Sequence, residues 1–281
     1  MAFEFIRSET QEGVLVLTLN DPKTRNSLTP ELTAELEAEL DRFAGDPDLR
    51  VLVLTGEDPA FCSGANVRGF SRSIQQREQE GPPPAPSAWE RLDPVYTPLH
   101  AGKYEAGPSL VRLLHNLQKP TIAAVNGYAF GLGCGLALCC DLRIASERAQ
   151  FAEAFVRNGL IPADGSCWQL PKLIGISNTL WMQYTGEAVN GQDAYRLGMV
   201  NRVVPHDELM PAALELATRL AQGPTYSMSL IKLLVHRAYL QDLPEHLVLA
   251  TRAQDLARQT EDHKEGVQAF LEKRKPVFKG R

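Results

Sequence analysis

The chain has 281 residues, 44% of them hydrophobic, and no run of eighteen uninterrupted apolar residues, so it can bury a sizeable core and has no segment built to span a bilayer. A formal net charge of −5 excludes a sequence-wide basic footprint for nucleic acid. The five cysteines form no CxxC pair, which favours buried free thiols over disulfides or zinc, and MAFEFIRSETQEG lacks a basic run ahead of an apolar stretch, so the expected location is cytoplasmic.

In chain order, FEFIRS and GVLVLTLN are rich in apolar and β-branched residues, and the polar TQEG between them predicts a hairpin. After NDPKTRNSLT, Thr29 as N-cap and Pro30 as first helical residue predict a helix through ELTAELEAELDRFAG, with Leu32, Leu36 and Leu40 on one face and Gly45 at its end. The run VLVLTG (51–56) predicts a buried strand of a parallel sheet. From Ser71 to Pro108 the chain carries seven prolines and few periodic apolar residues, which predicts a long irregular excursion. Helix PSLVRLLHNLQ, strand TIAAVNG, the glycine-rich AFGLGCG, helix LALCC and strand LRIAS then alternate as in an α/β architecture. Beyond Val203 the pattern turns to amphipathic helices, so a helical region over 204–281 is expected to follow an α/β core over 1–203.

Two segments carry the chemistry. AFCSGANV (60–67) and AAVNGYAFGLGCGLALCCDLRIAS (123–146) each place glycine and small residues after a strand, where backbone must come close to a ligand. Together they can aim two backbone N–H groups at one oxygen, and the second opens a helix whose first N–H groups and dipole favour developing negative charge. A dinucleotide fingerprint starting at Gly131 would need glycine at position 136, where Leu136 stands. No GxSxG nucleophile elbow is present, and no two of the six histidines sit at a metal-ligand spacing. The tail KRKPVFKGR packs five cationic side chains into nine residues, as a solvated terminus or a meeting point for a phosphate-bearing ligand.

FCSGANV resembles the FxxGADL signature of the enoyl-CoA hydratase/isomerase (crotonase) superfamily, and KPTIAAVNGYAFGLGCGLALCCDLRIAS resembles its KPxIAAVxGxAxGGGxxLAxxCDxRIA signature. QFAEAFVRNGLIP and FLEKRKPVFKGR extend the likeness over most of the chain in family order; it is weakest at 71–108. The resemblance implies a superhelix of stacked ββα units, a C-terminal helical region that forms a homotrimer or a dimer of trimers, and an acyl-CoA thioester as ligand. Coenzyme A would then belong to the substrate, with no separate cofactor and no metal. By position, the resemblance implies oxyanion-hole N–H groups from Ala65 and Leu132. It implies CoA contacts from Arg25, Asn26, Ser27, Leu28, Ser63, Gly64 and Asn66, and from Phe278 and Lys279 in a tail that reaches a neighbouring subunit's nucleotide.

The chain departs from the family where protons move. Hydratases of this family use two glutamates, and Gly135 and Phe155 stand at the matching positions; neither can carry a proton. Asp164 in GLIPADGSCW remains, one residue past the position, Ala163 here, at which isomerase and dehalogenase branches carry an aspartate. It reads either as the general acid/base of an enolised thioester or as the cap of a helix starting in GSCWQLPKLIG. Glu153 reads as an exposed residue at an element end, with a catalytic role as the lesser reading, and Asp141 as a turn or ion-pair residue. Tyr128, Trp168 and Tyr184 read as core residues that could instead shape an acyl pocket. The expected activity is that of an acyl-CoA isomerase or atypical hydratase. A crotonase-fold hydrolase or carbon–carbon bond-cleaving enzyme, and a non-catalytic CoA-binding scaffold, are the alternatives.

Overall fold

The structure, a computed structural model, describes residues 3–66, 75, 78, 79 and 109–281. The irregular excursion expected at 71–108 therefore lies, apart from three helical residues, outside the described residues. Strands β1 (Ile6–Gln11) and β2 (Val14–Leu19) pair antiparallel across a turn at Glu12 and Gly13, which forms the expected hairpin. Helix α1 (Pro30–Gly45) begins as predicted: the Thr29 hydroxyl accepts from Leu32 N at 3.2 Å, and Pro30 gives up an N–H that has no helical partner anyway. Its buried face is Leu32, Leu36, Leu40 and Phe43.

Beyond α1 the chain repeats a unit of strand, strand and helix. β3 (Val51–Gly56) leads into β4 (Ala60–Cys62), and helix α2 (Ser109–Asn116) comes after them in the described chain. β5 (Thr121–Val125) and β6 (Tyr128–Phe130) run into helix α3 (Leu132–Cys139), and β7 (Leu142–Ser146) and β8 (Gln150–Ala152) into helix α4 (Ser166–Thr185), which bends at Gly175. Each pair gives one strand to each of two sheets, ordered β1-β2-β3-β5-β7-β10 and β4-β6-β8-β9, where β9 is Val189–Asn190 and β10 is Arg202–Val204. A short helix α5 (Gly191–Arg196) joins β9 to β10. All neighbours in the larger sheet beyond the first hairpin are parallel, so β3 is buried along its whole length.

That burial uses both faces. Leu52 and Leu54 point into the cluster formed with α1, α2 and α3, whereas Val51 and Val53 point to the other side, where helix α6 (Leu209–Ala221) packs through Leu209, Ala213 and Ala217. Helix α6 thus starts the sequence region beyond Val203 yet covers the strands. The remaining helices α7 (Thr225–Arg237), α8 (Leu243–Arg258) and α9 (Glu261–Leu271) lie outside that layer. Among the described residues no helix is long and apolar enough to cross a membrane.

One side chain ties the turn before α1 to the turn between β3 and β4. Asn26 is fully buried; its Nδ2 donates to Glu57 O (2.8 Å) and Ala60 O (2.7 Å), and its Oδ1 accepts from Asp21 N (2.9 Å). Replacing it with alanine leaves those buried backbone groups unpaired. We therefore expect Asn26→Ala to cost about 2–3 kcal/mol in urea unfolding, whereas a change at the exposed Glu9, such as Glu9→Gln, costs under about 0.5 kcal/mol.

Candidate active site

The two glycine-rich segments lie side by side, β4 pairing with β6 in parallel. Leu28 N donates to Gly64 O at 2.9 Å, and Leu28 bridges Ala65 in parallel. A trans peptide points its C=O and N–H in opposite directions, so the Ala65 N–H points away from Leu28, to the side where β6 runs out into α3. At the start of α3, Gly131 O accepts from Gly135 N at 3.1 Å, which turns the Leu132 N–H outward from the helix end, and no side chain caps it. The two peptides are neighbours: Gly64 has φ +90°, and a Cβ built on it would lie 3.3 Å from Leu132 N and 2.6 Å from Phe130 O. Only glycine brings the backbones this close in that conformation.

Beside this pair lies an acid. Asp164 is 2% exposed, and a Cβ placed on Gly135 would stand 2.3 Å from its Oδ2. Its carboxyl therefore occupies the space that a side chain at 135 would need, three residues and about 4.5 Å along the axis from Leu132. Asp164 is not itself the N-cap of α4; Gly165 holds that place, but Asp164 Oδ1 accepts from Ser166 N at 3.1 Å, so the capping role is taken from one residue upstream. Oδ2 has no hydrogen-bond partner among the described residues. Burial pushes the Asp164 carboxyl above its usual range against the pull of the Ser166 groups.

Glu153 departs from its expected position. Instead of lying exposed it is fully buried, because the chain turns inward after β8: Glu153 Oε2 accepts from Ser166 Oγ at 2.7 Å, and its other oxygen has no partner among the described residues. Burial first, then the charge of Asp164, push the Glu153 carboxyl up to about 8, opposed by bonds from Ser166 and Cys134. Sequence reasoning gave this residue only a lesser place, at the surface, because its partners come from two other segments. The one clue was a glutamate thirteen positions before a serine in a helix start, which no local rule singles out.

The remaining candidates divide. The Arg25 guanidinium is exposed over the Tyr128 ring at 5.5 Å, and Ser63 is fastened beside it, its N donating to Arg25 O (3.0 Å) and its Oγ to Thr24 O (3.0 Å). Asn26, Ser27 and Leu28 are buried and shape the backbone; Asn66 is half-buried next to Ala65. Phe278 and Lys279 are elsewhere: Arg50, just before β3, donates to Phe278 O at 3.2 Å, and Asp262 accepts from Lys279 N at 2.6 Å, whereas Gly64 and Ala65 follow the far end of that strand pair. Within one chain the tail and the paired peptides are not brought together. Asp141 is the expected ion-pair residue, with Lys232 Nζ at 2.9 Å.

The aromatic residues differ from the core reading. Tyr128, Trp168 and Tyr184 are 37%, 43% and 73% exposed, and Trp168 lines a cavity of about 480 Å³ with His115, Lys172 and Tyr239, at the opposite end of α3 from Leu132. At the second family glutamate position, the Phe155 ring packs about the Gly131 backbone, an apolar wall next to Leu132.

A serine, a histidine and an aspartate also align: Ser146 Oγ lies 3.1 Å from His206 Nδ1, and His206 Nε2 lies 2.9 Å from Asp58 Oδ2. Ser146 is fully buried and already accepts from Arg148 N, so the row fastens β7 to the β3–β4 turn and offers no nucleophile. The buried thiols do not supply one either; burial holds Cys62 up at about 12.

Two stacked sheets built from strand–strand–helix units, with a helix N-terminus abutting a glycine turn, place the chain in the crotonase fold class. It belongs to the enoyl-CoA hydratase/isomerase family, whose model matches residues 9–102 and 99–281. A 1,2-epoxyphenylacetyl-CoA isomerase of Escherichia coli is 37% identical over 278 residues, covering 99% of both chains. A crotonyl-CoA hydratase of Syntrophomonas wolfei is 33% identical over 280 residues, again covering 99% of both. The crystal structure of an enoyl-CoA hydratase from Bacillus anthracis superposes with a TM-score of 0.83 at 30% identity, covering 99% of this chain and all of that one.

The raised carboxyls fix a pH dependence of stability. Glu153 keeps its proton in the folded chain up to about 8 and loses it near 4.5 when unfolded, so between these values the native state binds more protons than the unfolded state. Stability then falls as pH rises through that window, by at most about 1.4 kcal/mol per pH unit for this group, and levels off above it. Urea unfolding at a series of pH values should show that slope, and Glu153→Gln should flatten it.

Proposed function

We propose that the chain is an enoyl-CoA isomerase that moves a double bond along an acyl-CoA thioester. The observation that carries this reading is the Asp164 carboxyl seated against Gly135, one helical turn from Leu132. The thioester oxygen would lie between the N–H groups of Ala65 and Leu132, whose hydrogen bonds strengthen as the carbonyl becomes an enolate; one such donor is worth about 10²–10³ in rate. Asp164 Oδ2 would take a proton from one carbon and return it to another, a transfer that leaves atoms and charge balanced and consumes no water. Hydration by two glutamates, by contrast, needs acids at 135 and 155, where Gly135 and Phe155 stand. One of the relatives above is itself named an isomerase.

Coenzyme A would run past Arg25, Ser63, Gly64 and Asn66, over the surface shaped by Asn26, Ser27 and Leu28. Phe278 and Lys279 would serve the nucleotide of a neighbouring copy in a homotrimer or a dimer of trimers. Ile231, Val235, Leu247 and Val248, each more than half exposed on α7 and α8, support such an assembly. A cytoplasmic location fits five cysteines that are all free.

The test is turnover of 2-enoyl-, 3-enoyl- and dienoyl-CoA thioesters in deuterated water, read by mass spectrometry. Double-bond movement without gain of water is expected, reduced about 10²–10⁴-fold in Asp164→Asn. Equal turnover by the two proteins would sink the reading. Gly135→Ala, whose new methyl displaces the Asp164 carboxyl, should lose activity to a similar degree and cost about 1–3 kcal/mol of stability.

A further inference from the structure

Asp164 does not stand alone. Ser166 holds two carboxyls at once, its N–H donating to Asp164 Oδ1 at 3.1 Å and its hydroxyl to Glu153 Oε2 at 2.7 Å. Gln183 Nε2 donates to the same hydroxyl at 3.5 Å and so holds it in place. One oxygen of each carboxyl, Asp164 Oδ2 and Glu153 Oε1, is buried without a partner among the described residues. The groups that face Glu153 are Cys134 of α3 and Asp164 and Ser166 at the start of α4, with Cys167 and Gln183 behind them. None of them is a cation, and no lysine, arginine or histidine among the described residues is hydrogen-bonded to either carboxyl.

Two buried carboxyls without a cation cannot both ionise. The surroundings decide which one does. Asp164 takes a backbone N–H from the first turn of α4, a bond that favours its charged form; Glu153 has only a hydroxyl and a thiol, and it is the more deeply buried of the two.

We propose that Glu153 is a positioning residue that carries the single proton of this pair, so that Asp164 is held ionised with Oδ2 ready for the substrate's proton. This rests on Asp164 being the acid/base of the isomerisation. Glu153 exchanges nothing with the substrate: its proton stays in place while the substrate's proton moves to Asp164 and back. The pair are the only carboxyls among the described residues held above their ordinary range, so their protonation can be seen directly.

The experiment is infrared difference spectroscopy of the carboxylic-acid carbonyl band across pH, on the full chain, with wild type, Glu153→Gln, Asp164→Asn and Ser166→Ala. Wild type should show the band at neutral pH and lose it near about 8. The band should be missing in Glu153→Gln and kept in Asp164→Asn; the reverse pattern would overturn the proposal. Should Glu153→Gln fail to fold, Asp164→Asn decides, a kept band placing the proton on Glu153 and a lost one on Asp164; in Ser166→Ala, which removes a donor to both carboxyls, the band must persist to higher pH, and an unmoved band places the proton outside the pair. Enoyl-CoA turnover by the same proteins separates the two readings. An active Asp164→Asn defeats the acid/base role of Asp164, whereas an inactive Asp164→Asn with the band assigned to Asp164 defeats only the role of Glu153.

Discussion

The arrangement depends on two stretches of backbone meeting with no side chain between them. The Gly64–Ala65 peptide and the first peptide of α3 come from different strand–strand–helix units, and each is oriented by its own carbonyl, one received by Leu28 and the other by Gly135. Everything nearby serves that meeting. Asn26 holds the β3–β4 turn against the segment that carries Leu28, and the parallel pairing of β4 with β6 sets the level at which both segments leave the smaller sheet. In the proposed isomerisation, donors fixed in this way need no reorganisation as charge develops on the thioester oxygen.

Much of this architecture was legible in the sequence because its signals are local. The Thr29–Pro30 helix start, the hairpin around Gly13 and the continuous apolar run of β3 are rules of a few residues, and the structure follows them. The two glycine-rich segments were legible for the same reason: backbone proximity leaves a mark in residue size. The side of the sheet covered by α6 was not, since an alanine-rich amphipathic helix shows which face is apolar and not what it meets.

The acid chemistry was harder to read. Asp164 could be picked out because little else near the site titrates, but its burial under α3 depends on the missing side chain of Gly135, in another unit. Glu153 stood out only as a lesser candidate placed at the surface. Its environment is assembled from Cys134, Asp164 and Ser166, and a side chain that leaves a strand end can turn to solvent or inward without any change in its neighbours' pattern. Tyr128, Trp168 and Tyr184 show the converse: aromatic residues in apolar company that remain open at the surface.

Position 135 and the Asp164 carboxyl share one space, so the proposed acid from the loop and an acid on α3 compete for it. A side chain on α3 at 135 and the Asp164 carboxyl cannot both keep these places, because the first atom of one stands 2.3 Å from the last atom of the other. Exchanging the glycine alone crowds the aspartate out, and exchanging the aspartate alone leaves a hole without an acid. In this chain the two positions are therefore coupled, and a residue placed at 135 has to be chosen together with the one at 164.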